Sequence, residues 1–359
     1  MQPRYGEAVS TFTDIPALSL APWRGDEASR RQFADDLVRV GHEVGFLTVV
    51  DHGVPDDVID HYFAMLEAFF ALPVEEKERI DKRLSPHFRG WERVGAELTD
   101  NRVDFREQLD LSTENPTYAA DAIPAYLRLD GPNQWLPDDV LPGFRSTVTD
   151  VLARLAGIAD ELMGALAVGL DLPEDTFRRA FGERPLSLAK LISYPPTPPG
   201  EAGVNSHHDA GFLTVLVQHG VSGLEALNPD GEWIPVPPTP GAFVINIGEM
   251  LQSMTGNYLV ATTHRVVSHE QRYSSAYFHG PDLRASIEPL ALDARFVDAV
   301  ATSPRHRDAG FMARRDELLA GDSGTGSRPV SRYGEMLWNY YCRSYPEVVR
   351  LHYPDLVGG

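Results

Sequence analysis

The sequence predicts an α+β fold in which helices come first and a sandwich or barrel of short strands follows. Three observations carry that reading. Glu27 to Val44 and Phe144 to Leu170 repeat apolar residues on one helical face: Phe33, Leu37 and Val40 in the first, Leu155, Ile158, Leu162 and Leu166 in the second. From Leu186 to about Leu290, short β-branched and aromatic runs alternate with Pro/Gly turns, the texture of an all-β core. No stretch approaches the roughly 20 apolar residues of a membrane-spanning helix.

In chain order, Asp14–Leu20 reads as an edge strand stopped by Pro22, and Gly45–Val50 as a strand ending in the turn Asp51-His52-Gly53. A second helix is expected from about Pro55 to Leu72, and Pro86–Pro116 as loop with short strands. The predicted strands of the core are Leu188–Tyr194, Phe212–Val217, Gly223–Leu227, Trp233–Val236, Ala242–Ile247, His264–Val267 and Ala276–His279. Residues 300–330 read as a flexible loop, followed by a helix from Ser331 to Arg343. The expected organisation is an N-terminal region (10–125), a helical support (126–185), the β core (186–295) and a closing segment (296–359), together forming one functional unit.

Charge removes several classes of function. With 32 basic against 52 acidic residues the net charge is −20, which repels phosphate backbones and anionic lipid. No nucleic-acid or membrane partner is therefore expected. A single cysteine, Cys342, excludes an internal disulfide and any thiolate-rich metal site. Together with an N-terminus lacking an apolar signal core, this predicts a reducing, cytoplasmic setting, and a monomer is the default state.

The chemistry concentrates in Asn205-Ser206-His207-His208-Asp209-Ala210-Gly211 and in Thr262-Thr263-His264-Arg265-Val266. Residues i and i+2 of a strand share a face, so His207 and Asp209 project together while His208 points away. Two imidazoles and a carboxylate on one face of a metal form the facial triad of non-haem Fe(II) oxygenases, with open positions opposite. Arg272-Tyr273-Ser274 follows on the next strand, where the arginine can grip a carboxylate through two parallel hydrogen bonds and Ser274 can add a donor. A metal ligand followed by such a clamp suits a co-substrate that chelates at one end and is anchored at the other, as 2-oxoglutarate is shaped to do. If His264 and Arg272 face one interior across a hairpin, the three-residue loop His269-Glu270-Gln271 keeps them in phase; a four-residue loop needs a bulge.

At these motifs the chain resembles the Fe(II)/2-oxoglutarate-dependent dioxygenases of the isopenicillin N synthase-like group. Gly45-Phe46-Leu47 through His52-Gly53, Tyr194-Pro195-Pro196, His207–Thr214, Asn246-Ile247-Gly248-Glu249, His264-Arg265-Val266 and Arg272-Tyr273-Ser274 carry the likeness, in that order. His208 replaces the threonine usual in the family. Ala276–Asp282 and Arg332–Glu335 are similar to bacterial members, loosely including the ethylene-forming enzymes. The resemblance implies a double-stranded β-helix (jelly-roll) core with flanking helices. It places His207, Asp209 and His264 on Fe(II), and Arg272 and Ser274 on the distal carboxylate of 2-oxoglutarate. Tyr194 is a further co-substrate contact, and Asn246 a residue that orders a ligand through hydrogen bonds.

The implied activity is oxidation of a small molecule by hydroxylation, desaturation or cyclisation, with secondary metabolism as a candidate setting, coupling O2 to decarboxylation of 2-oxoglutarate to succinate and CO2. Two alternatives stay open: an iron enzyme of the same fold without 2-oxoglutarate, and a non-catalytic jelly-roll binding protein. For substrate, the candidates are Arg89, Trp91, Arg106 and Tyr340, with the basic ones suited to a substrate carboxylate. The competing reading pairs these arginines with acidic neighbours such as Glu97 or Glu107. His269 and His279 read as turn and strand residues, not ligands.

Overall fold

The computed structural model describes residues 11–99, 102–286, 288–307 and 332–357. The N-terminal part runs β1 (Ala17–Ser19), α1 (Glu27–Glu43), β2 (Phe46–Val50), α2 (Asp56–Phe70) and a short α3 (Val74–Lys77). Strands β3 (Gly90–Glu92), β4 (Leu98–Thr99), β5 (Arg102–Val103) and β6 (Glu107–Ser112) follow, then the long α4 (Phe144–Gly169) and α5 (Thr176–Phe181). The core comprises β7 (Leu188–Tyr194), β8 (Val204–His207), β9 (Leu213–His219), β10 (Leu224–Leu227), β11 (Trp233–Pro235), β12 (Phe243–Ile247), α6 (Glu249–Met254), β13 (His264–Val266) and β14 (Arg272–His279). Helices α7 (Ala294–Thr302), α8 (Pro304–Arg307), α9 (Tyr333–Ser344), α10 (Pro346–His352) and α11 (Pro354–Val357) complete the described chain.

Two sheets face each other in a double-stranded β-helix. The major sheet has eight strands in the order β1-β2-β12-β9-β14-β7-β6-β3; the minor has four, β11-β10-β13-β8. The N-terminal strands β1, β2, β3 and β6 thus extend the sheet that the core strands begin. Strand period decides which side chains meet. On β14, Tyr273, Ser275, Tyr277 and His279 turn to the helical side: the Tyr62 hydroxyl of α2 meets Ser275 Oγ at 2.7 Å, and Tyr273 stacks on Phe70. Arg272, Ser274, Ala276 and Phe278 turn inward, level with Tyr194, Ile192, Lys190 and Leu188 of β7.

Helix α4 begins after Gly143, in the left-handed region at φ 78°, and buries Val148, Val151, Leu155, Ile158, Leu162 and Leu166 at steps of three or four. This apolar stripe packs behind β9 and β14 and beside α1 and α2, so the helical layer holds the major sheet from its convex side.

Two expectations need correction. His264 and Arg272 do not face each other across a hairpin, because β13 pairs with β8 and β10 while β14 pairs with β7 and β9. The chain crosses from one sheet to the other between them, so loop parity does not set their relation. Asp209 also lies beyond the end of β8, so its direction is fixed by the following turn and not by strand alternation. Of the predicted loop at 300–330, residues up to Thr302 close α7 and Pro304–Arg307 form α8; 308–330 and Ser331 lie outside the described residues.

Candidate metal and co-substrate site

His207 ends β8, and His264 begins β13 directly opposite it in the minor sheet. Each imidazole is oriented by its own backbone two residues earlier: His207 Nδ1 lies 2.8 Å from the Asn205 carbonyl oxygen, and His264 Nδ1 lies 3.0 Å from that of Thr262. A Nδ1–H donated to a carbonyl leaves Nε2 unprotonated and aimed at the common centre. There the Asp209 Oδ1 stands 3.5 Å from His207 Nε2 and 3.7 Å from His264 Nε2. The ligand atoms of the three residues all lie within 4.8 Å of one another. The other carboxylate oxygen, Oδ2, accepts from Thr214 Oγ1 at 2.5 Å and from Asn246 Nδ2 at 2.7 Å. One oxygen is thus held by the protein and one is presented. An imidazole–imidazole–carboxylate set of this kind fits Fe(II) with open positions.

The turn carrying Asp209 is fixed by backbone. Gly248 donates to the Phe212 carbonyl at 2.8 Å, Glu249 to that of Asp209 at 2.8 Å and Met250 to that of Gly211 at 3.1 Å. Gly248 approaches so closely that a Cβ there would stand 2.2 Å from the Gly211 oxygen. Burial alone would raise the Asp209 pKa and lower those of the histidines. His264, His207 and Asn246 overcome it for Asp209, whose carboxyl is held far below the usual range. For His264 burial and His207 prevail, pushing it down to about 4, whereas the contact with Asp209 outweighs burial and raises His207.

His208 points away from this centre, with Nε2 2.8 Å from Thr263 Oγ1 and Nδ1 3.7 Å from Glu249. His269 is an exposed bend residue, and His279 faces Asp160 of α4 behind the sheet at 3.3 Å.

Across the chamber, on the inward face of β14, Arg272 is 1% exposed. Its Nη1 donates to Ser274 Oγ at 3.2 Å and its Nη2 to Gln218 Oε1 at 2.9 Å, while the guanidinium lies 4.8 Å over the Tyr194 ring. Among the described residues no carboxylate pairs with it, and Nε has no partner. Burial lowers its pKa, the sign of a cation removed from water without a counter-charge. Such a group fits an anionic ligand, and 2-oxoglutarate supplies a carboxylate of the right kind. Gln218 was not singled out from sequence; its place level with Ser274 on β9 is a matter of register.

The inward face continues onto β6 and β3, where it becomes charged. Asp110 Oδ2 accepts from Lys82 at 2.7 Å and from Lys190 at 3.0 Å; Lys82 also reaches Glu92 at 2.8 Å. Lys190 reaches Glu97 at 3.0 Å, and Arg106 joins Glu97 at 2.6 Å to Asp104 at 3.1 Å. Charges therefore alternate along a buried chain that begins and ends on a carboxylate. Tyr340 of α9 donates to Glu97 at 2.6 Å and covers this chain.

The four substrate candidates meet different fates. Arg106 and Tyr340 lie in the chain, with Arg106 close enough to affect His207 and Tyr194 electrostatically. Both terminal nitrogens of Arg89 are engaged by main-chain carbonyls, His87 at 2.5 Å and Leu129 at 2.9 Å, so Arg89 is a buried tie and not a carboxylate clamp. Trp91 lies level with Leu109, on the convex face, and donates to Glu107 at 2.7 Å; strand parity turns it away from the metal ligands. The pairing of arginine with Glu97 is realised at Arg106. A surface cleft of about 610 Å³, bordered by Gly223, Glu225, Arg265 and Glu270, and one of about 360 Å³ against α4 both lie apart from the three ligands.

Comparison with known proteins agrees with this geometry. Residues 184–281 match the 2OG-Fe(II) oxygenase superfamily, and residues 15–138 match the family described as non-haem dioxygenase in morphine synthesis N-terminal. The 2-oxoglutarate-dependent dioxygenase frbJ of Dothideomycetidae sp. (strain 11243) is 37% identical over 290 residues, covering 78% of this chain and 77% of its own. A 2-oxoglutarate-dependent dioxygenase of Gibberella zeae is 30% identical over 362 residues, covering 97% and 93%. Among solved structures, a full-length Neurospora crassa protein in complex with alpha-KG and 5-formyluracil superposes with a TM-score of 0.66 at 26% identity, over 80% of this chain and 91% of that one. Those relatives, the jelly-roll sheets and the His207–Asp209–His264 cluster agree: this chain belongs to the 2OG-Fe(II) oxygenase superfamily.

Proposed function

We propose that the chain is an Fe(II)- and 2-oxoglutarate-dependent oxygenase of a small molecule, with His207, Asp209 and His264 holding the iron and Arg272 and Ser274 the distal carboxylate of 2-oxoglutarate. One observation carries it: three converging ligand atoms lie in the same jelly roll as a buried arginine that, among the described residues, has no carboxylate partner. When bound, iron and 2-oxoglutarate supply the oxidising chemistry, O2 activation coupled to release of succinate and CO2.

The residues of the chain supply position. The Asn205 and Thr262 carbonyls fix which imidazole nitrogens face the metal, and Asn246 and Thr214 leave only one Asp209 oxygen for it. Tyr194 lies beneath the Arg272 guanidinium, and Gln218 holds one of its terminal nitrogens, so the clamp is formed in advance. Tyr340 fastens α9 to the buried ion chain through its bond to Glu97. The choice between hydroxylation, desaturation and cyclisation follows from which substrate carbon this chamber places over the ligands.

Succinate formed per O2 consumed tests the reading. Iron- and 2-oxoglutarate-dependent succinate release that His207→Ala abolishes, together with iron binding, is the expected result. Iron binding without any succinate from 2-oxoglutarate sinks it. Among the described residues no helix is long and apolar enough to cross a membrane. We also read the protein as a cytoplasmic monomer without nucleic-acid partners, a reading supported by its net charge of −20 and its single cysteine.

A further inference from the structure

The buried ion chain ends on Asp104, which is 0% exposed and whose two carboxylate oxygens face different partners. Oδ2 accepts from Thr99 Oγ1 of β4 at 2.7 Å and pairs with Arg106 at 3.1 Å. Oδ1 looks out of the chain: it accepts the backbone N–H of Asn205 at 3.1 Å and the Asn205 side-chain amide at 2.9 Å. The same amide donates to the Val103 carbonyl of β5 at 3.0 Å, and the Phe105 N–H to the Ala202 carbonyl at 3.0 Å. Residues 103–105 are thus laced to residues 202–205 along β8, the last strand of the minor sheet.

The lacing holds a bulge. Val204 pairs with Val266 and His207 with His264, so β8 advances three residues where β13 advances two. In a regular antiparallel ladder begun at Val204 and Val266, Ser206 would stand opposite His264 and His207 would lie one residue beyond it. The extra residue brings His207 level with His264. A bulge leaves that residue outside the ladder and bends the strand, so its backbone groups need partners from elsewhere. Asn205 lies within the bulge. Its N–H and side-chain amide go to Asp104 and Val103, and its carbonyl faces His207 Nδ1 at 2.8 Å.

We propose that Asp104 positions the iron ligand His207 by clamping the β8 bulge through Asn205. The inference rests on the oxygenase reading above and adds to that site a positioning residue that acts through another. Asp104 fixes the Asn205 backbone, and the Asn205 carbonyl fixes the imidazole, so Nε2 keeps its aim toward Asp209 and His264. Thr99 and Arg106 hold the other oxygen of the same carboxylate, so β4 is fastened to the metal-bearing end of β8.

The test is anaerobic titration of the wild type and variants with Fe(II), and with Co(II), whose visible d–d absorption reports ligand geometry. Asp104→Ala weakens Fe(II) binding about tenfold, the lower end of the effect of removing an outer support of a metal ligand, and shifts the Co(II) band. Asp104→Asn removes the same charge but keeps an oxygen for the Asn205 N–H, and stays within about threefold of wild type. Asn205→Ala leaves every charge in place and loses only the side-chain bonds. It weakens Fe(II) binding by about threefold or more, with the same shift of the Co(II) band, and decides the matter if Asp104→Ala does not fold. Wild-type affinity and Co(II) spectrum in Asp104→Ala or in Asn205→Ala overturn the proposal, even if the melting temperature falls, because Asp104 is then a structural tie alone. Asp104→Asn binding as weakly as Asp104→Ala also overturns it, by assigning the effect to charge. Failure of the wild type to bind either metal contradicts the oxygenase reading instead.

Discussion

Asn246 donates its side-chain amide to Asp209 Oδ2 at 2.7 Å, from a strand of the major sheet to a turn of the minor one. The bond, shared with Thr214, turns Oδ1 toward the two imidazoles. Removing an outer partner of a metal ligand typically weakens metal affinity ten- to a hundredfold. Asn246→Ala accordingly weakens Fe(II) binding by about that factor, measured by anaerobic metal titration, and leaves the far-UV circular dichroism unchanged. Unaltered affinity would mean that Thr214 alone suffices to orient Asp209.

Gly248 bears on the same carboxylate through space and not through a hydrogen bond. Its φ of −96° is open to any residue, so the constraint is the approach of the Gly211 carbonyl, 2.2 Å from where a Cβ would lie. The obstacle is backbone, so Gly248→Ala displaces the Asp209 turn. Overpacking of this kind costs about 1–3 kcal/mol. The variant melts lower and binds Fe(II) more weakly; a wild-type melting temperature with normal iron affinity contradicts the close approach.

How far the site was legible from sequence depended on the range of the interaction. The meeting of His207, Asp209 and His264 was readable because a metal site calls for imidazole and carboxylate atoms that converge, and Arg272 was singled out because a guanidinium suits a carboxylate. The relation of His264 to Arg272 was not: β13 and β14 belong to different sheets, a crossing that a local hairpin argument cannot see. The helices and β7 followed from periodicity, Leu188–Tyr194 matching its strand residue for residue. The ion chain on β6 was missed because its partners are spread from Lys82 to Tyr340 and meet only after the sheet forms. Lys190 inside the apolar run of β7 was the local sign of it. The outward facing of Trp91 was not readable because the facing of its three-residue strand depends on register with β6.

Arg272 sets stability against function. A buried guanidinium with no carboxylate partner among the described residues is costly to remove from water, and an apolar side chain of similar size removes that cost. Arg272→Met therefore melts at or above the wild-type temperature without ligand, yet loses the stabilisation that saturating 2-oxoglutarate confers on the wild type. Thermal denaturation with and without 2-oxoglutarate checks both halves. A large loss of stability without ligand shows instead that the bonds to Ser274 and Gln218 outweigh the burial of the charge.

Stability is also expected to vary with pH through a stacked histidine pair outside the His207–Asp209–His264 cluster. His306 of α8 lies flat against His42 of α1, ring centroids 3.9 Å apart, and its Nε2 meets the His42 carbonyl at 2.9 Å. Burial, then the neighbouring His42, pushes His306 down to about 4; burial likewise lowers His42. An unfolded histidine titrates near 6.5. Between 6.5 and 4 the unfolded chain binds more protons than the folded one, so acid favours unfolding. Above 6.5 both states are neutral at this site and its contribution no longer varies. After allowance for screening, His306 accounts for a loss on the order of 2 kcal/mol across that window. Urea denaturation at a series of pH values shows stability falling from pH 6.5 toward 4, and His306→Gln flattens the fall. An equally steep fall in the variant assigns the acid sensitivity to other groups.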